Sequence, residues 1–243
     1  MKIGVISPKV SEESAKYLSD IINAKYLGQR YEKTLDFTDY DILFNYGVSG
    51  FNAVIKPNCQ IINNPKSVQT CVNKLKTFYS LYKDADVIQF TEKPKKAIEW
   101  IKEGNTVVAR KQTNGYQGKG LEYIYTEEEF NNTPAKFWTK YFDHQHEVRV
   151  NVYQGKILTV YEKINNEAKN ETEFIHLDID GEHPDVTKMI SGISKNIGIE
   201  FYGMDILVDD EGNCKLLEIN SAPILHKETA TKLASIFKSI NER

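Results

Sequence analysis

The sequence, 243 residues long, is poor in cysteine: Cys59, Cys71 and Cys214 are odd in number, widely spaced and lack a C-x-x-C partner. That excludes a disulfide framework and a thiolate zinc site, and the expectation is reduced thiols in an intracellular setting. No apolar run approaches the about 18 residues of a membrane helix, and the opening MKIGVIS is too short for a signal peptide. A soluble, cytoplasmic protein is expected. Charge excess is missing too, with 31 Lys and Arg against 34 Asp and Glu. Such a balance leaves no electrostatic footprint for duplex nucleic acid or an anionic membrane. His144, His146, His176, His183 and His226 have no metal-ligand spacing with cysteine, and no nucleophile elbow with a Ser-His-Asp order is present. Satisfied or exposed histidines are expected. Internal repeats and low-complexity tracts are also absent.

What is present reads as α/β. Lys2 to Ser7 alternates like a strand, and Ser11 can cap a helix over residues 12 to 23 with Ala15, Leu18, Ile21 and Ile22 inward. Strands at Asp41 to Tyr46 and Cys59 to Ile62 complete a small α/β module over residues 1 to 66. Pro65 and Ser67 then open one long helix whose Val68, Cys71, Val72, Leu75, Phe78, Tyr79 and Tyr82 fall at core spacing. After a helix at Lys95 to Glu103, strands at Thr106 to Lys111 and Leu121 to Tyr125 flank the glycine-rich tip NGYQGKG. Thr126 and Glu129 form a capping-box signature. Further strands fall at Phe137 to Phe142, Glu147 to Tyr153 and Lys156 to Lys163, the last two joined at Gln154-Gly155. Residues 164 to 182 read as mostly loop, with one strand candidate from Phe174 to Ile179. Helices over Pro184 to Asn196 and Glu228 to Ile240 bracket a hairpin from Gly203 to Pro223.

That hairpin carries the densest chemistry. With Glu211-Gly212 as a two-residue turn, Val208 faces Lys215, Asp205 faces Glu218 and Gly203 faces Asn220. Asp205, Glu218 and Asn220 then share one face. Opposed carboxylates about 5 Å apart repel by about 3 kcal/mol at an effective dielectric of about 20. A cation between them removes that cost, and two carboxylates with an amide oxygen are hard ligands suited to Mg²⁺. A solvated face whose charges never meet is the other reading. Gly115, Gly118 and Gly120 give G-x-x-G-x-G between two strands, where no helix follows to make a dinucleotide turn. Their backbone amides can wrap phosphate oxygens, or they form an ordinary hairpin tip. Lys74, Arg110 and Lys163 are each a phosphate-neutralising candidate or a surface cation. Glu147 and Arg149 point to one face of their strand, as a sugar-hydroxyl acceptor beside an anion clamp or as an intrastrand ion pair.

The order of these features, from a helix bearing Lys74 through Arg110, the glycine-rich hairpin, Glu147-Val148-Arg149 and Lys163 to MDILVDDEGNCKLLEINSAP, resembles the ATP-grasp superfamily over residues 65 to 225. Within it the sequence is similar to the branch of ribosomal-protein glutamate ligase and glutathione synthetase, including phage-coded relatives. The resemblance implies an α/β ATP-grasp fold: a pre-ATP-grasp domain over 1–66, then an ATP-grasp domain over 67–243. In that domain a small lobe over 67–135 carries the glycine-rich loop and a large lobe over 136–243 carries the metal site. It further implies an ADP-forming carbon-nitrogen ligase that activates a carboxylate as an acyl-phosphate for attack by an amine.

Carried across by position, Lys74 and Arg110 contact ATP phosphates under the loop Gly115 to Gly120. Lys163 adds a further phosphate contact, and Glu147 holds the ribose. Asp205, Glu218 and Asn220 bind Mg²⁺, with Mn²⁺ as an alternative, and Arg149 steadies the acyl-phosphate. Arg149, Lys163 and Asn220 form the catalytic set. Three departures stand out. Arg110 replaces the usual lysine, the strand Trp138 to Phe142 lacks the glutamate often found beside adenine, and the arginine-rich stretch after Lys163 is missing. A phosphotransferase of the same fold and a nucleotide-binding regulatory protein without turnover are the rival readings. The expected partners are ATP, a small-molecule or peptide carboxylate and an amine, with homo-oligomerisation left open. Glu167, Glu171, Glu173, Asp178, Asp180 and Glu182, set against Lys169 and His176 alone, point to a cationic acceptor or to a solvated acidic loop.

Overall fold

The computed structural model describes residues 1–28, 35–51, 53–114, 120–166, 171–177 and 183–241. It contains four β-sheets among those residues. In the N-terminal part come β1 (Ile3–Ile6), α1 (Glu12–Ile21), β2 (Lys25–Tyr26), β3 (Leu35–Phe37), β4 (Ile42–Asn45), β5 (Ala53–Ile55) and β6 (Gln60–Ile62). They form a parallel sheet in the order β2-β1-β4-β6 and a separate β3-β5 pair. β1 and β4 are buried at every residue, as the near-continuous apolar runs of parallel strands require.

The expected long helix after residue 65 is two helices, α2 (Pro65–Val72) and α3 (Lys74–Leu81). Asn73 separates them in an extended conformation, and its side chain accepts a hydrogen bond from the Lys76 amide at 3.0 Å, capping α3. The break re-aims the second half. Phe78 and Leu81 are fully buried, whereas Val72, Tyr79 and Tyr82, expected in the core, are exposed.

The middle of the chain supplies β7 (Phe90–Thr91), α4 (Pro94–Lys102), β8 (Val107–Arg110), β9 (Leu121–Ile124), α5 (Glu127–Asn132) and β10 (Phe137–Lys140). Its antiparallel sheet, β7-β10-β8-β9, packs Val107, Ala109, Ile124 and Trp138 against Ala97, Trp100 and Ile101 of α4. The Thr126–Glu129 capping box forms as the sequence predicts.

The rest consists of β11 (His146–Tyr153), β12 (Lys156–Asn166), β13 (Glu171–Leu177), α6 (Pro184–Asn196), β14 (Phe201–Val208), β15 (Cys214–Asn220) and α7 (Lys227–Asn241). The five strands pair antiparallel in the order β13-β12-β11-β14-β15. Residues 164–166 and 171–177, expected to be largely loop, pair as strand, because β13 gains a full ladder from Val160–Leu177 to Asn166–Glu171. Val150, Val152, Val160, Met204, Ile206, Leu216 and Ile219 bury one face of this sheet against Met189, Ile190 and Ile193 of α6. Its far end joins the N-terminal module: Tyr153 and Phe201 share a core with Phe44 and Tyr46, closed over by Leu233 and Phe237 of α7.

Candidate active site

One face of the large sheet is apolar, and strand alternation makes the other polar. Antiparallel register arranges that face in three rows. Lys163 faces Glu147; Tyr161 faces Arg149, then Asp205, then Glu218; and Thr159 faces Asn151, then Gly203, then Asn220. Residues far apart in sequence thereby lie side by side without any loop having to hold them.

The β14-β15 hairpin reaches this register by two offsetting irregularities. The turn spans Asp209 to Asn213, where the Asp209 carboxylate accepts from the Asn213 amide at 2.8 Å and the Glu211 amide at 3.0 Å. A two-residue turn would have put Val208 opposite Lys215, but Val208 meets Cys214. A one-residue register shift between Asp205 and Ile206 then restores Asp205–Glu218 and Gly203–Asn220. Asp205 and Glu218 are therefore opposed as the sequence pattern predicts.

Cations hold both carboxylates. Asp205 is fully buried, and its Oδ2 accepts from Arg149 Nη2 at 2.9 Å and from Lys163 Nζ at 3.0 Å, while Arg149 Nε bonds its Oδ1. Burial alone would push this carboxyl up, but the charges of Arg149 and Lys163 outweigh it and bring it to about 2. The reciprocal effect raises Arg149 and Lys163: burial would lower both, and Asp205 overrides it. Lys163 also pairs with Glu147 across the strands, so the Glu147–Arg149 strand makes cross-strand pairs instead of an intrastrand one. Glu218 bonds Lys74 through Oε2 and accepts from Asn220 Nδ2 at 3.0 Å through Oε1.

Two elements from outside the sheet complete the cluster. The Asn73 break leaves Lys74 as the first residue of α3, tied to the loop before the glycine-rich stretch by its amide donating to Thr113 O at 2.8 Å. Arg110, at the end of β8, is 5 % exposed; its Nε donates to Thr139 Oγ1 at 3.3 Å and its guanidinium lies 5.8 Å from the Phe137 ring. Burial pushes it down to about 10, offset in part by the charge of Glu218, so it stays cationic at neutral pH. Arg110 has no carboxylate ion pair among the described residues. Gly115 and Gly118 lie outside the described residues. Gly120 closes that loop at φ +77°, a left-handed conformation that suits glycine, and its carbonyl accepts from Lys111 at 2.8 Å. Of the acidic stretch, Glu171 and Glu173 sit on β13, and Glu167, Asp178, Asp180 and Glu182 lie outside the described residues.

Lys74, Arg110, Glu147, Arg149, Lys163, Asp205, Glu218 and Asn220 thus form one electrostatically coupled cluster. The donor set fits a hard divalent ion: carboxylate oxygens of Asp205 and Glu218 and the Asn220 amide oxygen, with cations beside them for phosphate oxygens. Sequence reasoning passed over Asn151, Tyr161, Phe174 and Thr229, and it expected His226 to be satisfied or exposed, whereas its ring is half-buried and its Nε2 lacks a hydrogen-bond partner among the described residues. Asn151 continues the Glu147–Arg149 alternation, a signal that could have found it. The others carry no such signal: β13 pairing and the α7 start bring Phe174 and His226 to Tyr161, with ring centroids 4.7 Å apart for Tyr161–His226 and 4.9 Å for Phe174–His226.

Residues 184–241 match the model of the tubulin-tyrosine ligase family. No curated protein matches the sequence. Among solved structures, the ATP-grasp ligase PsnB complexed with a minimal precursor is similar with a TM-score of 0.74 and 11% identity, over 98% of this chain and 99% of that one. D-alanine–D-alanine ligase from Bacillus anthracis complexed with ATP gives 0.69 and 16% identity, over 100% and 95%. A Chryseobacterium gregarium RiPP-associated ATP-grasp ligase in complex with ADP and a leader and core peptide gives 0.68 and 14%, over 98% and 97%.

Proposed function

The chain has the ATP-grasp fold, and from that premise we propose that it is an ATP- and Mg²⁺-dependent carboxylate-amine ligase working through an acyl-phosphate and releasing ADP and phosphate. The observation that carries this reading is the sheet register, which gathers Glu147, Arg149, Lys163, Asp205, Glu218 and Asn220 on one polar face with Lys74 and Arg110 at its edge. Solved structures of similar fold that contain ATP or ADP support it.

Asp205, Glu218 and Asn220 would hold Mg²⁺, which neutralises phosphate charge during phosphoryl transfer. Lys74 has two roles in this scheme. Its ammonium neutralises Glu218, and it would also offer positive charge to phosphate oxygens. Arg110, already desolvated and fixed by Thr139, offers its guanidinium to phosphate oxygens with little reorganisation. Lys163 and Glu147 hold each other in place, Glu147 toward the ribose and Lys163 toward phosphate. Arg149, locked by Asp205, supplies fixed positive charge where the acyl-phosphate develops its negative charge. No side-chain nucleophile is required.

Glu218→Gln tests the reading. It removes a carboxylate ligand yet leaves an amide that still accepts from Asn220, so Mg²⁺-dependent ADP release on a panel of acids and amines should vanish while the melting temperature in the absence of nucleotide changes little. Wild-type ADP release in this variant would refute the metal assignment.

A further inference from the structure

On the side of the large sheet that packs against α6, three side chains of metal-ligating type converge: His183, Asp185 and Cys214, with one ligand atom of each within 4.8 Å of the others. Two elements bring them together. His183 is the extended residue before α6, Pro184 opens that helix, and Asp185 lies in its first turn. Cys214 is the first residue of β15, set opposite Val208 by the Asp209 to Asn213 turn. It shares the apolar core with Val186, Met189 and Ile190 of α6, whereas Glu218 and Asn220 lie on the polar face, so the two groups of ligands are separate. His183 and Cys214 are 31 positions apart in the chain, yet Cys214 Sγ lies 4.0 Å from His183 Nδ1. Cysteine spacing argued against a zinc site; packing of the helix on the hairpin supplies the juxtaposition that spacing lacks.

Little else in the protein engages these groups. Among the described residues the Asp185 carboxylate makes no hydrogen bond or ion pair, and the His183 imidazole meets Cys214 alone. Burial first, and then the negative charges of Asp185 and Asp209, push the Cys214 thiol up, so positive charge beside that sulfur is favoured. A thiolate, an imidazole and a carboxylate suit Zn²⁺, in contrast to the all-oxygen set of Asp205, Glu218 and Asn220 that suits Mg²⁺. Zinc bonds of about 2.0–2.3 Å put tetrahedral ligand atoms about 3.3–3.6 Å apart. The remaining closure is within reach of side-chain rotation, since His183 is exposed and Asp185 half-buried. The dipole at the start of α6 disfavours a bare cation, but thiolate and carboxylate together make the zinc complex neutral.

We propose that His183 Nδ1, an Asp185 carboxylate oxygen and Cys214 Sγ form a Zn²⁺ site with water in the fourth position, tying the start of α6 to the β14-β15 hairpin. On binding, the Cys214 S–H bond is replaced by an S–Zn bond and the proton leaves to solvent, with no change of oxidation state. His183 keeps its own proton on Nε2. The hairpin so fixed is the one that carries Asp205, Glu218 and Asn220 on its other face, and the site does not depend on the ligase reading.

The test titrates Co²⁺, with Zn²⁺ as competitor, into the tag-free full chain in excess Mg²⁺, which occupies the all-oxygen site. Wild type should bind Co²⁺ with a thiolate-to-cobalt charge-transfer absorption, and Zn²⁺ should displace it stoichiometrically and raise the melting temperature. Groups one step removed from a metal cost about tenfold to a hundredfold in affinity, so His183→Gln and Asp185→Asn should each cost more than about a hundredfold. Cys214→Ala should abolish the absorption; should it fail to fold, His183→Gln, at an exposed position, carries the test alone. Absence of the absorption in wild type, or equal affinity in wild type and His183→Gln, overturns the proposal. An absorption that persists in Cys214→Ala places the metal on another cysteine and overturns it equally.

Discussion

Asp205→Asn is the perturbation that most directly probes how the site is held. The wild-type carboxylate is the shared counter-ion of Arg149 and Lys163 in a fully buried position. An amide of equal size leaves the Arg149 guanidinium buried without an anion opposite it, while Lys163 retains Glu147. Removing one partner of a buried pair costs about 3–5 kcal/mol. For a chain of this size that lowers the melting temperature by about 6–20 °C. The assay is thermal and urea unfolding near neutral pH with neither nucleotide nor Mg²⁺ present. Replacing both partners, Arg149→Met with Asp205→Leu, removes the stranded charge and should recover most of the loss.

The same carboxylate gives a pH signature. Its folded pKa of about 2 lies below the ordinary 3.8, so its contribution is fully present above pH 3.8 and disappears as pH falls through about 2. The difference is worth about 2 kcal/mol, and Asp205→Asn should lack that part of the acid-unfolding slope. An Asp205→Asn protein within about 1 kcal/mol of wild type, or one with an unaltered acid slope, would refute the claim that Arg149 and Lys163 depend on this carboxylate.

Three further outcomes follow from named contacts. Gly203→Ala forces a Cβ to within 2.8 Å of Arg149 Cδ and 3.0 Å of Pro223 Cβ; overpacking should cost about 1–3 kcal/mol and displace Arg149, read as a lower melting temperature with a disproportionate loss of ADP release. Asn73→Ala removes the cap of α3, and unfolding should show a loss of about 1 kcal/mol together with weaker nucleotide binding, since Lys74 is the next residue. Lys74→Met should abolish most of the melting-temperature rise that Mg²⁺ and ATP produce together. An undiminished rise in scanning fluorimetry would remove Lys74 from the phosphate site.

Much of the architecture was legible in local sequence chemistry. Strand alternation exposed the same-face pairs Glu147–Arg149 and Glu218–Asn220, and the apolar spacing of Val186, Met189, Ile190 and Ile193 outlined α6 to the residue. The Thr126–Glu129 box marked α5. These are contacts between near neighbours, which a pattern in the chain encodes directly.

Tertiary structure decided what depends on distant partners. Helical spacing over residues 65 to 82 could not show that the Asn73 side chain caps a new helix and turns Tyr79 and Tyr82 to solvent. The polar run after Lys163 reads as loop because its strand character comes from pairing with β13. The hairpin register emerged correctly at Asp205–Glu218 although the turn was longer than the pattern indicated, because the β-bulge offset the difference. Most of all, the assignment of charges was tertiary. Residue types showed that carboxylates and cations were available. Only the stacking of β12, β11, β14 and β15 in register, with α3 beside it, showed that Asp205 is buried between Arg149 and Lys163 and that Glu218 meets Lys74. Cross-strand neighbours are set by sheet order, and sheet order depends on which apolar faces bury one another over the whole fold.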